Sequence, residues 1–179
     1  MPLPFELLHM EVVRYAREQE ALANVINPRE ALEGIDKSSN ALVYKALASR
    51  NAATRLESMG VRVGYLLAEK ICKDLPRITT ELEIMKFVCK EFWINVFGRQ
   101  VDNLRTNHQG TYVVQDNRFP FISSFAEGAQ YTQDALVYLV MPCGIIRGAL
   151  SALGIQALVT HSTELLPTVK FHIHLSAKA

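Results

Sequence analysis

Cysteine is scarce in this chain of 179 residues: Cys72, Cys89 and Cys143 are odd in number and widely spaced. That excludes a disulfide framework, fits no zinc ligand set and points to a reducing compartment. Glycine and proline are also few, 9 and 7, while apolar residues make up 49%, so a fibrous or disordered chain is excluded and one domain over residues 1–179 is expected. Neither sign of charge dominates. Nineteen Lys and Arg against 18 Asp and Glu leave +1 with no basic block, so a counterion-releasing grip on nucleic acid is not expected. No stretch reads as ~20 consecutive apolar residues, and the first residues lack a basic region followed by an apolar run, so neither a membrane span nor a secretory leader is expected. A soluble cytosolic protein is the expectation. Phosphate loops, dinucleotide glycine patterns and paired-histidine metalloprotease motifs are all missing, and no cofactor or metal is expected.

What is present is periodicity. Phe5, Leu8, His9, Val12, Val13 and Ala16 predict an amphipathic helix over residues 3–24. Asn27-Pro28, Gly34 and the run Asp36-Lys37-Ser38-Ser39-Asn40 then predict a loop with at most one helical turn. Leu56, Met59, Gly60, Val63, Leu67 and Ile71 predict a second helix over 53–74, ahead of Pro76. Gly60 and Gly64 lie one turn apart inside it. Either another backbone passes close to them or they are tolerated surface glycines. Thr79 or Thr80 caps a third helix, with Glu83 placed for a capping box on Thr80 and a stripe of Leu82, Met85, Cys89, Phe92 and Val96 ending at Gly98.

The period then changes to two. Residues 101–107 and 111–116 predict a hairpin around His108-Gln109-Gly110, and 118–124, broken by Pro120, predicts an irregular edge segment. A fourth helix covers at least 143–153, starting either near Tyr131 with a kink or at Pro142, and stopping at Gly154. Residues 155–161 and 169–175 predict two more strands; in the last, Val169, Phe171, Ile173 and Leu175 alternate with Lys170, His172, His174 and Ser176. This order predicts an α+β fold: a four-stranded antiparallel sheet packed on one side by about four helices.

Few residues invite chemistry. His172 and His174 share a strand face and could hold one metal, but nothing nearby completes a site, and solvated surface histidines are the stronger reading. A cysteine nucleophile needs a base, for which His9, His108 or His161 could serve, yet no motif ties any of them to a cysteine. Cys89 reads as core packing. Cys143 at a helix start could have a lowered pKa, although packing is again the preferred reading. Gly144-Ile145-Ile146-Arg147-Gly148 could bind an anion at a helix start, but its glycines suit close helix packing better. Arg147, within an apolar run, should hold a carbonyl or carboxylate inside the domain.

Three segments then converge on a known family. Met59-Gly60-Val61-Arg62-Val63-Gly64, Leu104-Arg105-Thr106-Asn107-His108-Gln109-Gly110-Thr111-Tyr112-Val113 and Cys143-Gly144-Ile145-Ile146-Arg147-Gly148-Ala149-Leu150 resemble the small α+β core subunits of the TRAPP vesicle-tethering complex. The hairpin segment looks like the subunit-6 branch in particular. The resemblance covers nearly the whole chain except 36–52, which looks like an insertion, and it marks Gly60, Gly64, Arg105, Gly110, Cys143, Gly144, Arg147 and Gly148 as structural motif positions. It implies a non-catalytic subunit of a complex that tethers vesicles between the ER and Golgi and exchanges nucleotide on a Rab GTPase through other subunits. It further implies a heterodimer with the acylated sister small subunit, contacts to other core subunits and peripheral Golgi membrane association through the complex. The first two helices of each protein would form the pair, with Leu8, Val12, Met59, Val63 and Leu67 at the interface. The sister's lipidated cysteine matches the region of Ile78 to Thr80, which here has no cysteine, so lipidation there is excluded. The alternative from another class is a module binding an acyl chain or other apolar ligand in a cavity between sheet and helices.

Overall fold

The computed structural model describes residues 3–25, 51–73, 78, 80–107, 109–125 and 131–176. Residues 36–50 of the expected insertion and His108 of the hairpin turn lie outside these; Asn51 and Ala52, which the sequence reading joined to the insertion, open the second helix instead. Helix α1 spans Leu3–Val25 and α2 spans Ala52–Cys72. Asn51 caps α2 through its side-chain oxygen, which accepts from the Ala53 amide at 2.8 Å.

Thr80 begins α3 with the expected capping box: its hydroxyl accepts from the Glu83 amide at 3.3 Å, and Glu83 accepts from the Thr80 amide at 3.2 Å. The helix runs through Glu81–Phe87, a π-helical stretch Val88–Phe92 and a final Trp93–Phe97 before Gly98. Its buried pairs, Ile84/Met85, Val88/Cys89, Phe92/Trp93 and Val96/Phe97, recur at every fourth residue. That spacing exceeds the ~3.6 residues of an α-turn, and the wider bonding of the π-stretch takes up the excess so that all four pairs face the core. Leu82, expected in the stripe, is half exposed because it falls outside this repeat.

Strands β1 (Asn103–Thr106) and β2 (Thr111–Asp116) form the hairpin. Its turn is closed by Asn107, whose side-chain oxygen accepts from the Gln109 and Thr111 amides at 2.9 and 3.1 Å, and by Gly110 at φ 80°, where a side chain would be strained. The segment 118–124 is not an edge of the sheet. Pro120–Ile122 forms a 3-10 turn that sends Phe119, Phe121 and Ile122 into the core.

Helix α4, Thr132–Ala152, starts near Tyr131 and carries Pro142 in its interior. By length and mean composition it could cross a membrane, yet it is interrupted by Gln133, Asp134 and Arg147, and Leu139, Ile145, Ile146 and Leu150 are fully buried inside this domain. It is a core helix. Strands β3 (Ala157–Ser162) and β4 (Val169–Leu175) complete a sheet of order β1-β2-β4-β3, antiparallel throughout. Register alternates whole rows between faces. Leu104, Val114, Phe171 and His161 form one inward row, and Arg105, Val113, His172 and Thr160 the outward row beside it. The expected α+β fold, four helices against one face of a four-stranded antiparallel sheet, is what the described residues form.

The core centres on Trp93, Phe97, Phe119, Phe121 and Phe171, tilted or edge-on to one another with ring centroids between 4.7 and 6.2 Å. The Asp116 carboxylate reaches into it. Trp93 Nε1 donates to Asp116 Oδ2 at 3.0 Å; Asp116 Oδ1 accepts from the Arg118 amide at 3.0 Å and faces Arg99 Nη1 at 3.4 Å. Burial pushes the Asp116 carboxyl above its ordinary range, while the Trp93 and Arg118 hydrogen bonds and the Arg99 charge pull the other way.

Candidate functional site

Helices α2 and α4 meet through glycine. A methyl added to Gly60 or Gly64 would fall on the carbonyl oxygens of Met141 and Ile145, and one added to Gly144 or Gly148 on those of Glu57 and Val61. The first of the two sequence readings is therefore correct: two backbones pass at near contact, and each glycine is needed because nothing larger fits. Beside this seam Arg147 Nη1 binds Glu57 Oε1 at 2.6 Å. The acceptor is a carboxylate, as expected, but Arg147 is 47% exposed rather than inside the domain. The apolar run around it faces inward while position 147 points along the helix edge to water.

Cys143 lies mid-helix, not at a helix start, because α4 begins eleven residues earlier at Thr132. Burial and the nearby Glu57 charge raise its pKa, and Cys89 is pushed up to about 12 by burial. The fold brings Cys143 Sγ to 3.3 Å from His161 Nδ1, a pairing the sequence did not reveal. Burial also lowers the His161 pKa, so both groups are held neutral, the opposite of the thiolate and imidazolium that a nucleophilic cysteine needs. The pair is a packed hydrogen bond.

Helix α1 is held differently. His9, Val13 and Ala16 are buried, and the His9 ring stacks on Phe121 at 3.9 Å, with Tyr138 at 6.0 Å. Neither His9 nitrogen meets hydrogen-bond geometry. Burial lowers its pKa to about 4, opposed by the backbone carbonyl of Tyr138, which has no helical donor because Pro142 stands four residues on. Next to this inward face lies an apolar outward one. Leu8 is 58% exposed, and Tyr15 and Leu22 continue it at intervals of seven, with Leu7 alongside. On α2, Leu66 is 65% exposed and Tyr65 is exposed with it.

Of the positions expected at an interface, Leu8 is exposed; Val12, Met59, Val63 and Leu67 are half-buried, three of them (Val12, Val63, Leu67) packed against the core. Tyr15, Leu22, Tyr65 and Leu66 were not singled out in the sequence, since a periodic pattern gives the apolar width of a helix but not how much its own domain covers. Arg105 is exposed on the outer sheet face, and Gly110 shapes the hairpin turn. Among the described residues no three His, Cys, Asp or Glu side chains gather as a metal site. His172 bonds Ser162 Oγ at 2.9 Å and His174 bonds Thr111 Oγ1 at 3.4 Å.

Against this geometry the comparisons are decisive. Residues 5–176 match the family described as "Transport protein particle (TRAPP) component". The chain belongs to the TRAPP family. Trafficking protein particle complex subunit 6b of Danio rerio is 39% identical over 94% of this chain and 93% of its own. Subunit 6B of Mus musculus is 46% identical over 80% and 89%, and subunit 6A of Bos taurus 49% over 66% and 74%. Among solved structures, subunit 3 of the same complex from Naegleria fowleri, covalently bound to palmitic acid, shares the fold at TM-score 0.58 and 18% identity, over 93% of this chain and 96% of that one. TRAPP relatives at this identity are complex subunits involved in trafficking, and no enzyme family is indicated.

Proposed function

We propose that this TRAPP-family chain is a non-catalytic core subunit that pairs with a sister small subunit through the α1–α2 face and positions neighbours that tether vesicles and exchange nucleotide on a Rab GTPase. The exposed stripe of Leu8, Tyr15, Leu22 and Leu66 carries the reading. Exposed apolar side chains of this size on two helices that pack together are what pairing would remove from water at ~25 cal/mol per Å². Membership of the TRAPP family supports work between ER and Golgi, at the membrane surface but without insertion. Co-purification with the acylated sister subunit, with stoichiometry from native mass spectrometry, tests the pairing. Fluorescent-nucleotide release should be absent with the lone chain and appear only with the full core; catalysis by the lone chain would overturn the scaffold role.

The alternative, an acyl-chain site, is suggested by the palmitate bound to the Naegleria fowleri subunit. It has less support here. The Ile78 to Thr80 region has no cysteine, and Trp93, Phe97, Phe119, Phe121 and Phe171 fill the space between α3 and the sheet. Native mass spectrometry of the purified chain carrying a fatty-acid mass would revive it.

A further inference from the structure

The sheet face turned away from the helices takes no part in the pairing proposed above. Its outward rows place Arg105, Val113, His172 and Thr160 side by side across all four strands, with Thr111, His174 and Leu158 in the next outward row. The one acid within any strand, Asp116, is turned inward and buried. The Arg105 side chain is exposed and makes no ion pair or hydrogen bond among the described residues. The two imidazoles are steadied across strands by Ser162 and Thr111, each keeping a second ring nitrogen without a partner among those residues. Leu158 stands beside them on an edge strand, more than half exposed.

We propose that this face docks an acidic segment of a protein partner, its carboxylates meeting Arg105, His172 and His174 while an apolar side chain covers Leu158. A row of donors whose strands carry no outward acid among the described residues, next to one exposed apolar group, is complementary to such a segment in both charge and hydrophobicity. The density of positive charge is too low for a lipid surface or a nucleic acid. Lys170, the remaining cation of the face, is already paired with Glu164 at 2.8 Å, and both of those alternatives rely on clusters of lysine and arginine. Because the face lies across the sheet from the helical layer, it can be occupied while α1 and α2 are engaged.

The test is a titration of the isotopically labelled full chain, followed by amide NMR, with three probes: a synthetic peptide of Glu and Leu, a matched peptide of Lys and Leu, and phosphatidylserine vesicles. The Glu–Leu peptide should shift amides around Arg105, Val113, Leu158 and His172 saturably, and the Lys–Leu peptide should leave them in place. Arg105→Glu should weaken that binding about tenfold, as expected for reversing a central charge. Arg105→Gln should weaken it less, and it keeps the test decisive if the reversal alters the unbound spectrum. Equal binding of both peptides, shifts confined to α1 and α2, vesicle binding in place of peptide binding, or unaltered affinity of both variants would overturn the proposal, and none of these touches the α1–α2 pairing.

Discussion

Helix α2 has two long neighbours, and they are held by opposite means. Toward α4 it removes side chains until backbones nearly touch, at Gly60, Gly64, Gly144 and Gly148. Toward α1 it keeps large side chains, and α1 buries only a narrow strip of His9, Val13 and Ala16 with its margins while leaving Leu7, Leu8, Tyr15 and Leu22 in water. The first contact is complete within the chain. The second is half a contact, and its unfilled half is what the proposed sister subunit would cover. A single apolar helix therefore says little until one knows which neighbour each face meets.

The contrast is broken most severely at the seam. Gly64→Leu would drive a side chain into the Ile145 backbone, and because neither helix can retreat without opening the core, a loss of about 3 kcal/mol or more is expected. Urea denaturation should show it as a fall in midpoint, or the chain should fail to fold.

On the other side of α2, Leu66→Asp or Leu8→Asp should leave the isolated chain's melting temperature nearly unchanged, since both residues are exposed there. Affinity for the sister subunit should fall by about 2 kcal/mol if either is a central contact. Val63→Asp, being half-buried, should also release the sister but would lower the melting temperature as well. Unchanged affinity in all three would move the interface elsewhere.

The α1 side also responds to acid. An unfolded histidine titrates near 6.5, whereas His9 in the fold is lowered to about 4 by burial, so the fold prefers the neutral ring. Stability from this group is full above about pH 6.5 and is lost as pH falls toward 4, by about 3 kcal/mol over the window. His9→Phe can keep the stack on Phe121 without titrating, and its melting temperature should fall less between those pH values than that of the natural chain. Parallel pH profiles would show that His9 does not govern α1.

The smallest effect is expected at Arg147. Its bond to Glu57 is short, but both side chains are substantially exposed, and pairs of this kind contribute about 0–1 kcal/mol. Arg147→Met should shift the melting temperature by a few degrees at most. A large loss would give the ion pair a share in holding the glycine seam.

Much of this fold is legible in the sequence where one period persists. The Thr80 capping box, the alternation of Val169, Phe171, Ile173 and Leu175, and the hairpin around Gly110 are local signals, and each is where it was expected. The segment around Pro120 misleads because proline argues against a strand without saying that the phenylalanines beside it plug the core. The Trp93–Asp116 bond joins residues from different elements, and no local pattern contains it. For the candidate interface the stripe on α1 and α2 was readable as width, but Leu66 and Tyr15 could be told from Leu67 and Val13 only once the core had claimed its share.

The π-helical stretch in α3 sets a phase. Each residue of an α-helix advances the azimuth by about 100°, so with regular bonding throughout Val96 would lie about 120° around the axis from Ile84, and the wider turn of Val88–Phe92 removes that excess. With those residues kept but bonded as a regular α-helix, Trp93 would swing off Asp116, and Phe97 would leave the aromatic cluster. The irregular turn thus works like an offset tooth on a gear: the helix is locally less ideal so that its second half meshes with the sheet, and a helix one residue shorter between Val88 and Phe92 would regain regular bonding with the same faces turned inward.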